Sequence, residues 1–327
     1  MTRPTNAELS SLQIIAKDIE GSLGINLPSP LIPFELIDQP LIRCWCKRDD
    51  LIHPIISGNK WRKLRISLAR AIKHKRQHIM SFGGAHSNHL HALAYACQKL
   101  GIKFTAIVRG DYSQNLTPTL LDLSTWQSDI VFVSNQDYRK RVDSAFAKML
   151  MERINADEAI AEGGSQADGV LGMQQLADEL NNDEVPIQHL FLPIASGASY
   201  AGLIRGLRAE PSDLSLTQLC GIAVLKGEGY LESLVAQLNQ GWCSQQAEPS
   251  HAIYHDFHAG GYAKITAGLQ HQIFAYNQSL PFQVEPVYSA KALMAMHNLL
   301  LKQQAQQATN CVFLHTGGLP TTRINHA

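Results

Sequence analysis

The sequence predicts an α/β protein built as two interleaved lobes, each a mainly parallel twisted sheet flanked by helices. Three observations carry this. From His78 onward, short apolar runs alternate with segments of helical periodicity, the pattern of parallel strands joined by right-handed crossovers. A chain of 327 residues is long enough for about two domains. Yet no internal repeat, low-complexity stretch or Pro/Gly/Ser-rich linker divides it, so the lobes are expected to interleave.

The strands expected in order are Ile79 to Phe82, Phe104 to Val108, Ile130 to Val133, Leu190 to Ile194, Ile222 to Leu225 and Cys311 to Leu314. An earlier strand is expected around Cys44 and Cys46, and a short one at Ala159 to Ala161. Helical length and period mark Leu90 to Leu100, Arg139 to Ile154, Tyr200 to Arg208 and Lys291 to Lys302. The chain is expected to cross between lobes at the glycine turn before Lys60 and again at Gly163-Gly164. That gives a larger lobe of residues 1–57 and 163–327, a smaller lobe of 58–162, and a site in the cleft reached by both glycine turns.

Apolar residues make up 45% of the chain and charged residues 17%, with 28 basic and 28 acidic side chains. A zero formal balance argues against nucleic acid or an anionic membrane as partner and leaves a small molecule as the default. Residues 1–19 mix charges among scattered apolar residues, unlike a signal peptide, and no apolar run reaches membrane-spanning length. A cytoplasmic protein is expected. The six cysteines, at 44, 46, 97, 220, 243 and 311, have neither zinc nor disulfide spacing and read as reduced structural thiols.

The run Ser57-Gly58-Asn59-Lys60-Trp61-Arg62-Lys63-Leu64 is the most informative segment. Trp61, Leu64, Leu68 and Ile72 share one stripe of a 3.6-residue repeat, while Lys60, Lys63 and Ser67 fall on an adjacent face. The ordinary reading is a basic, solvated start to an amphipathic helix. The chemical reading is that Lys60, beside a second cation such as Lys63, has its ammonium disfavoured and becomes an amine able to bond an aldehyde.

Four segments could serve such an amine. Ser196-Gly197-Ala198-Ser199 lies between an expected strand and helix, where small residues and free amides can cradle a phosphate and the two hydroxyls can add donors. It matches neither a dinucleotide nor a triphosphate loop. Gly83-Gly84-Ala85-His86-Ser87-Asn88-His89 has the same setting; Ser87 and Asn88 either simply cap a helix, or the turn's exposed amides receive a substrate carboxylate while the Asn88 side chain contacts a phenolic oxygen. No fourth ligand accompanies His86, His89 and His91, so no metal is expected. Hydroxyls at Tyr288-Ser289 and Thr316 lie at the ends of expected elements, where they could meet a ring held by the phosphate loop or be ordinary turn residues.

Together these segments resemble the fold type II pyridoxal phosphate enzymes, whose architecture is tryptophan synthase beta-like. Within them the chain is most similar to the group containing D-cysteine desulfhydrase and 1-aminocyclopropane-1-carboxylate deaminase. The resemblance runs from Arg48 to Gly318 and rests on Gly58-Asn59-Lys60, Gly83-Gly84 with Ser87-Asn88-His89, Glu162-Gly163-Gly164-Ser165, and Pro286-Val287-Tyr288. It implies pyridoxal 5′-phosphate held by Lys60, Asn88 at the cofactor's O3′ and Ser196 to Ser199 at its phosphate. Ser87 would be the hydroxyl facing substrate, Tyr288 would stand beside the pyridine ring with Tyr262 as its neighbour, and a homodimer is implied. His86, His89 and Gly164 would border the substrate.

Two positions divide the group. Its deaminases carry a glutamate after Pro-Val-Tyr and a leucine before the last Gly-Gly; this chain has Ser289 and Thr316, as desulfhydrase-like members do. A hydroxyl facing the pyridine nitrogen does not enforce its protonation as a carboxylate would, and that weaker electron sink suits simple β-elimination. The expected activity is therefore conversion of D-cysteine to pyruvate, ammonia and hydrogen sulfide. The cyclopropane or another small D-amino acid is the alternative, and binding without turnover a third. The chain departs from the family pattern at His86 in place of glutamine, Gln166 in place of asparagine, and Thr321-Thr322-Arg323-Ile324-Asn325 in place of an aromatic tail, and of these His86 and the terminus are expected near the substrate pocket.

Overall fold

The computed structural model describes residues 5–207, 218–242, 249–303 and 305–318. Cys243, Arg208 and the tail from Thr321 lie outside them. The strands in chain order are β1 (Leu31–Phe34), β2 (Ile42–Lys47), β3 (His78–Gly83), β4 (Lys103–Arg109), β5 (Asp129–Val133), β6 (Glu158–Ile160), β7 (His189–Ile194), β8 (Gln218–Ala223), β9 (His251–Tyr254) and β10 (Thr309–Leu314). They form a four-stranded sheet in the order β5-β4-β3-β6 and a six-stranded sheet in the order β1-β2-β10-β7-β8-β9. All neighbours are parallel except β1, which runs antiparallel to β2 on one edge.

The α/β class with parallel sheets and flanking helices is as expected. Several boundaries differ. β8 begins four residues before the expected strand, because its register pairs Gln218 with His189 and Ala223 with Ile194. The segment Arg139 to Ile154 is not one helix. Asp143 is extended and its carboxylate accepts the Ala145 amide at 2.9 Å, so a new helix, Ser144–Ile154, starts there.

The described residues fall into two compact units, one of 5–26 and 53–172 holding the four-stranded sheet, the other of 27–52 and 173–318 holding the six-stranded sheet. These limits differ from the lobes drawn on sequence in three places, the first being that residues 53–57 already lie in the unit of the four-stranded sheet. The N-terminal helix Asn6–Leu23 belongs with the Lys60 helix, Asn59–Lys73. Glu20 accepts from Trp61 Nε1 and Arg65 Nε, each at 3.1 Å, and Glu8 pairs with Arg70 at 2.8 Å. Residues 163–172 also stay in that unit, since Gly169 and Gly172 let their helix lie directly on the backbone of its neighbours.

In the first unit β3 is buried along its whole length, as expected of a central parallel strand. In the second, the core packs Phe191, Ile222, Phe313 and Cys46 against the helix Ser289–Leu301 through Ala292, Leu293 and Met296. Cys44 and Cys46 alternate onto one buried face of β2.

Candidate active site

In the first unit, Gly58 takes φ 65° and ψ −150°, a conformation open to glycine, and releases the chain into the helix Asn59–Lys73 with no side-chain cap. Lys60 is half-buried and its Nζ donates to Asn59 Oδ1 at 2.7 Å. The expected division into an apolar stripe and a solvated basic face is not what forms. Arg62, Lys63, Arg65 and Ser67 are buried with Trp61, Leu64 and Leu68, whereas Ile72 is 37% exposed. Packing on several sides, with Glu20 and Asp168 as partners for Arg65 and Arg70, overrides the amphipathic pattern. Burial, and to a smaller extent Lys60, pushes the Lys63 ammonium well below its ordinary range.

The chain leaves β3 at Gly83, where a Cβ would come within 2.6 Å of Leu90 and 2.8 Å of Ser87 Oγ. Ser87 caps the helix Asn88–Lys99, its Oγ accepting the Leu90 amide at 3.2 Å, so its hydroxyl proton stays available. Asn88 is half-buried, His86 exposed and His89 buried at 3% exposure. Gly163 and Gly164 take φ of 67° and 68°, and a Cβ on Gly164 would stand 3.0 Å from Lys63 Cβ. Gln166 ties this turn down, accepting the Ala161 amide at 2.8 Å and donating to Ser67 at 3.1 Å. Its long amide does structural work that spans the turn and the Lys60 helix.

In the second unit, β7 ends at Ile194 and Gly197, at φ +75°, starts the helix Ala198–Gly206 with no side-chain cap. A Cβ there would press within 3.2–3.4 Å of Leu234 and Leu238. Ser196 is half-buried and Ser199 buried at this end. Amides left without a capping side chain at the positive end of a nine-residue helix suit a phosphate.

Tyr288 Oη and Tyr262 Oη lie 2.6 Å apart. Two groups that sequence reasoning left without a role hold them. The Glu285 carboxylate accepts the amides of Val287, Tyr288 and Ser289 at 2.7–2.8 Å, capping the helix Ser289–Leu301. Lys291, fully buried, donates to Gly261 O at 2.8 Å, next to Tyr262. The signal in the sequence was an acid followed by proline just before a helix start. Ser289 is wholly buried, and its Oγ accepts the Glu285 amide at 2.8 Å and lies 3.2 Å from Glu285 Oε1. Thr316 is buried beside His315, whose Nδ1 accepts the Gly317 amide at 3.2 Å and whose Nε2 donates to Gln283 O at 2.7 Å.

Among the described residues no cluster of three or more His, Cys, Asp or Glu side chains could hold a metal. None of their helices is long and apolar enough to cross a membrane.

Parallel sheets flanked by helices in each unit are the fold of the type II pyridoxal phosphate enzymes. Residues 24–317 match the family described as pyridoxal-phosphate dependent enzyme, and the chain belongs to that family. Its cofactor is pyridoxal 5′-phosphate. The D-cysteine desulfhydrase of Salmonella paratyphi A is 26% identical over 321 residues, covering 92% of this chain and 95% of that protein. The mitochondrial bifunctional D-cysteine desulfhydrase/1-aminocyclopropane-1-carboxylate deaminase of Arabidopsis thaliana is 26% identical over 90% of this chain and 77% of its own length. The crystal structure of an ACC deaminase homologue superposes with a TM-score of 0.74 at 24% identity, over 92% of this chain and 94% of that one. The relatives are those of the group that the sequence motifs resemble.

Proposed function

We propose that the protein is a lyase that eliminates the β-thiol of D-cysteine, converting D-cysteine and water to pyruvate, ammonia and hydrogen sulfide. The observation that carries this reading is Ser289, a buried hydroxyl at the first position of the helix after Pro286-Val287-Tyr288, where deaminases of the group place a carboxylate. Thr316, also buried, is the second such position.

Lys60 is assigned to hold the cofactor, with Asn88 at its phenolic oxygen, the Ser196–Ser199 loop at its phosphate, Lys63 as a further cofactor contact, and Ser289 and Thr316 at the ring nitrogen. Bound there, pyridoxal phosphate supplies the electron sink that makes the substrate's α-proton acidic. The chain's own residues do the rest. The turn from His86 to His89 is assigned to receive the amino acid, together with Gly164, where a Cβ would stand 3.0 Å from Lys63 Cβ. The Lys60 amine is assigned to move the α-proton, with Ser87 or Tyr288 as alternative carriers. The Ser87 hydroxyl can donate, since its cap role uses only a lone pair. One of the Tyr262 and Tyr288 phenols donates to the other at 2.6 Å, and the pair is assigned to the substrate side of the site.

The test is an absorption spectrum of purified protein followed by a panel of D- and L-amino acids, scoring keto acid and sulfide. Pyruvate and sulfide from D-cysteine are expected, with both the cofactor band and sulfide release lost in Lys60→Ala. The reading is wrong if Lys60→Ala keeps both. The bifunctional Arabidopsis relative favours a second substrate, 1-aminocyclopropane-1-carboxylate, which would yield 2-oxobutyrate in place of pyruvate. Yellow protein that releases no keto acid from any amino acid would instead mark a binding protein. A cytoplasmic homodimer is part of this proposal, checked by light scattering and cell fractionation.

A further inference from the structure

The helix Ala198–Gly206 makes its first internal hydrogen bond from the Ala201 amide to Gly197 O, at 2.9 Å. The amides of Ser199 and Tyr200 come before that bond, at the end of the helix that suits a phosphate. Tyr200 thus contributes an amide to the cradle, while its side chain is committed elsewhere. It is 1% exposed and is one of the largest wholly buried side chains among the described residues. Its phenol lies 2.9 Å from Ala252 O and 3.2 Å from Leu219 O, carbonyls of the adjacent strands β9 and β8. Carbonyls only accept, so the phenol is the donor. Burial pushes the phenol well above its ordinary range, which keeps the proton on it.

The sheet is shaped to receive this ring. A Cβ on Gly221 of β8 would stand 2.7 Å from Tyr200 Cε2 and 2.1 Å from Ile194 Cδ1. Gly221 is in regular parallel register with Leu192 on one side and Ile253 on the other, so the strand itself does not ask for glycine. The ring does. At the helix start, by contrast, Gly197 provides no capping side chain. The amide and the ring of Tyr200 hang on one Cα, so whatever fixes the ring also fixes the amide.

We propose that Tyr200 is the positioning residue of the phosphate cradle, its phenol tied to β8 and β9 across Gly221 so that the first-turn amides meet the cofactor's phosphate. This rests on the reading of Ser196 to Ser199 as the phosphate site.

The experiment titrates the full chain, stripped of cofactor, with pyridoxal phosphate and with pyridoxal, which has the same ring and aldehyde but no phosphate. Binding is read from the cofactor's absorption band. The parent should bind pyridoxal phosphate the more tightly. Tyr200→Phe keeps the ring and removes only the donor. Its Kd for pyridoxal phosphate should rise about tenfold, while its Kd for pyridoxal stays within about twofold of the parent's. Gly221→Ala, which presses on the ring and leaves the hydroxyl in place, should give the same selective loss. Tyr254→Phe is the control. The Tyr254 hydroxyl, on β9, accepts from Gln218 Nε2 at 3.3 Å, and removing it should change neither affinity. Equal weakening of both ligands in Tyr200→Phe, or the same selective loss in Tyr254→Phe, overturns the proposal. A parent that binds the two ligands equally would sink the phosphate assignment and this proposal with it. A parent that prefers pyridoxal phosphate, beside a Tyr200→Phe that prefers it as strongly, sinks this proposal alone.

Discussion

The ammonium of Lys291, wholly buried in the helix Ser289–Leu301, donates to the Gly261 carbonyl at 2.8 Å. Gly261 sits at φ 128° and is followed by Tyr262, whose phenol meets that of Tyr288 at 2.6 Å. One end of the tyrosine pair is therefore fixed by a lysine, the other by the Glu285 carboxylate that takes the Tyr288 amide. Lys291→Met keeps the volume and removes the donor. The expected result is a loss of about 1 kcal/mol of stability, as for one hydrogen bond, with turnover down about tenfold or more because Tyr262 is no longer aimed. Urea unfolding and kcat measured side by side check this. Full turnover in Lys291→Met would mean that the loop needs no anchor.

Lys63 makes stability depend on pH in a predictable direction. Burial lowers its folded pKa below the ordinary 10.5 of the unfolded chain. As pH falls below 10.5, the unfolded state therefore binds a proton that the folded state does not. This group's contribution thus favours folding least at low pH and recovers as pH rises toward 10.5. Lys63→Met removes the effect. The stability of the variant minus that of the parent should be most positive near neutrality and decline steadily up to pH 10.5, whatever its offset. Melting temperatures of cofactor-free protein from about pH 7 to 10 measure the slope, and a flat difference would contradict it.

How far the sequence carries the structure can be seen in these same residues. The apolar runs at Ile79 to Phe82, Phe104 to Val108 and Leu190 to Ile194 announced β3, β4 and β7, since strands buried on both faces read as continuous hydrophobic runs. β1 and β9 were not legible. Each has four residues, mostly half-buried and on a sheet edge, so neither alternation nor a continuous run forms. The Lys60 helix was legible as a helix but not as one buried on several sides. The partners that neutralise its charges, Glu20 for Arg65 and Asp168 for Arg70, are 45 and 98 residues away. For the same reason Lys291 carried no local signal, because its contact with Gly261 O, 30 residues away, is one that only the fold creates.

The five cysteines among the described residues are all buried and unpaired. Desolvation pushes Cys44 and Cys220 up to about 12, and Cys46, Cys97 and Cys311 also rise. At pH 8 a thiol with a pKa of about 12 is ionised in only about one part in 10⁴. In a Cys243→Ser background, native protein should show no alkylation by iodoacetamide over an hour-scale incubation at pH 8, and five additions once denatured. Peptide mass spectrometry would locate any exception, and rapid labelling of one of the five would place it in a segment that opens readily.

The helix Ala167–Gly172 lies on backbone, not on side chains. A Cβ added to Gly169 would stand 1.9 Å from Gly164 O, and one added to Gly172 would stand 2.0 Å from Arg62 O. Neither oxygen belongs to a side chain that can swing aside. Relief requires the helix to move by more than 1 Å from the turn that carries Gly164 or from the helix that carries Arg62, a shift that follows from a normal contact near 3.4 Å. Gly172→Ala should therefore cost about 3 kcal/mol, although alanine is the better helix former. Gly268→Ala is the control. Gly268 is inside the helix Ala267–Ser279 and its Cβ meets nothing within 4 Å, so the same substitution should stabilise by about 0.5–1 kcal/mol. Because Arg62 is two residues from Lys60, Gly172→Ala should also weaken cofactor retention by more than its loss of stability explains, whereas Gly268→Ala should leave it unchanged. Urea midpoints and cofactor dissociation, measured on both variants, separate a backbone seat under the lysine helix from a general intolerance of added methyl groups.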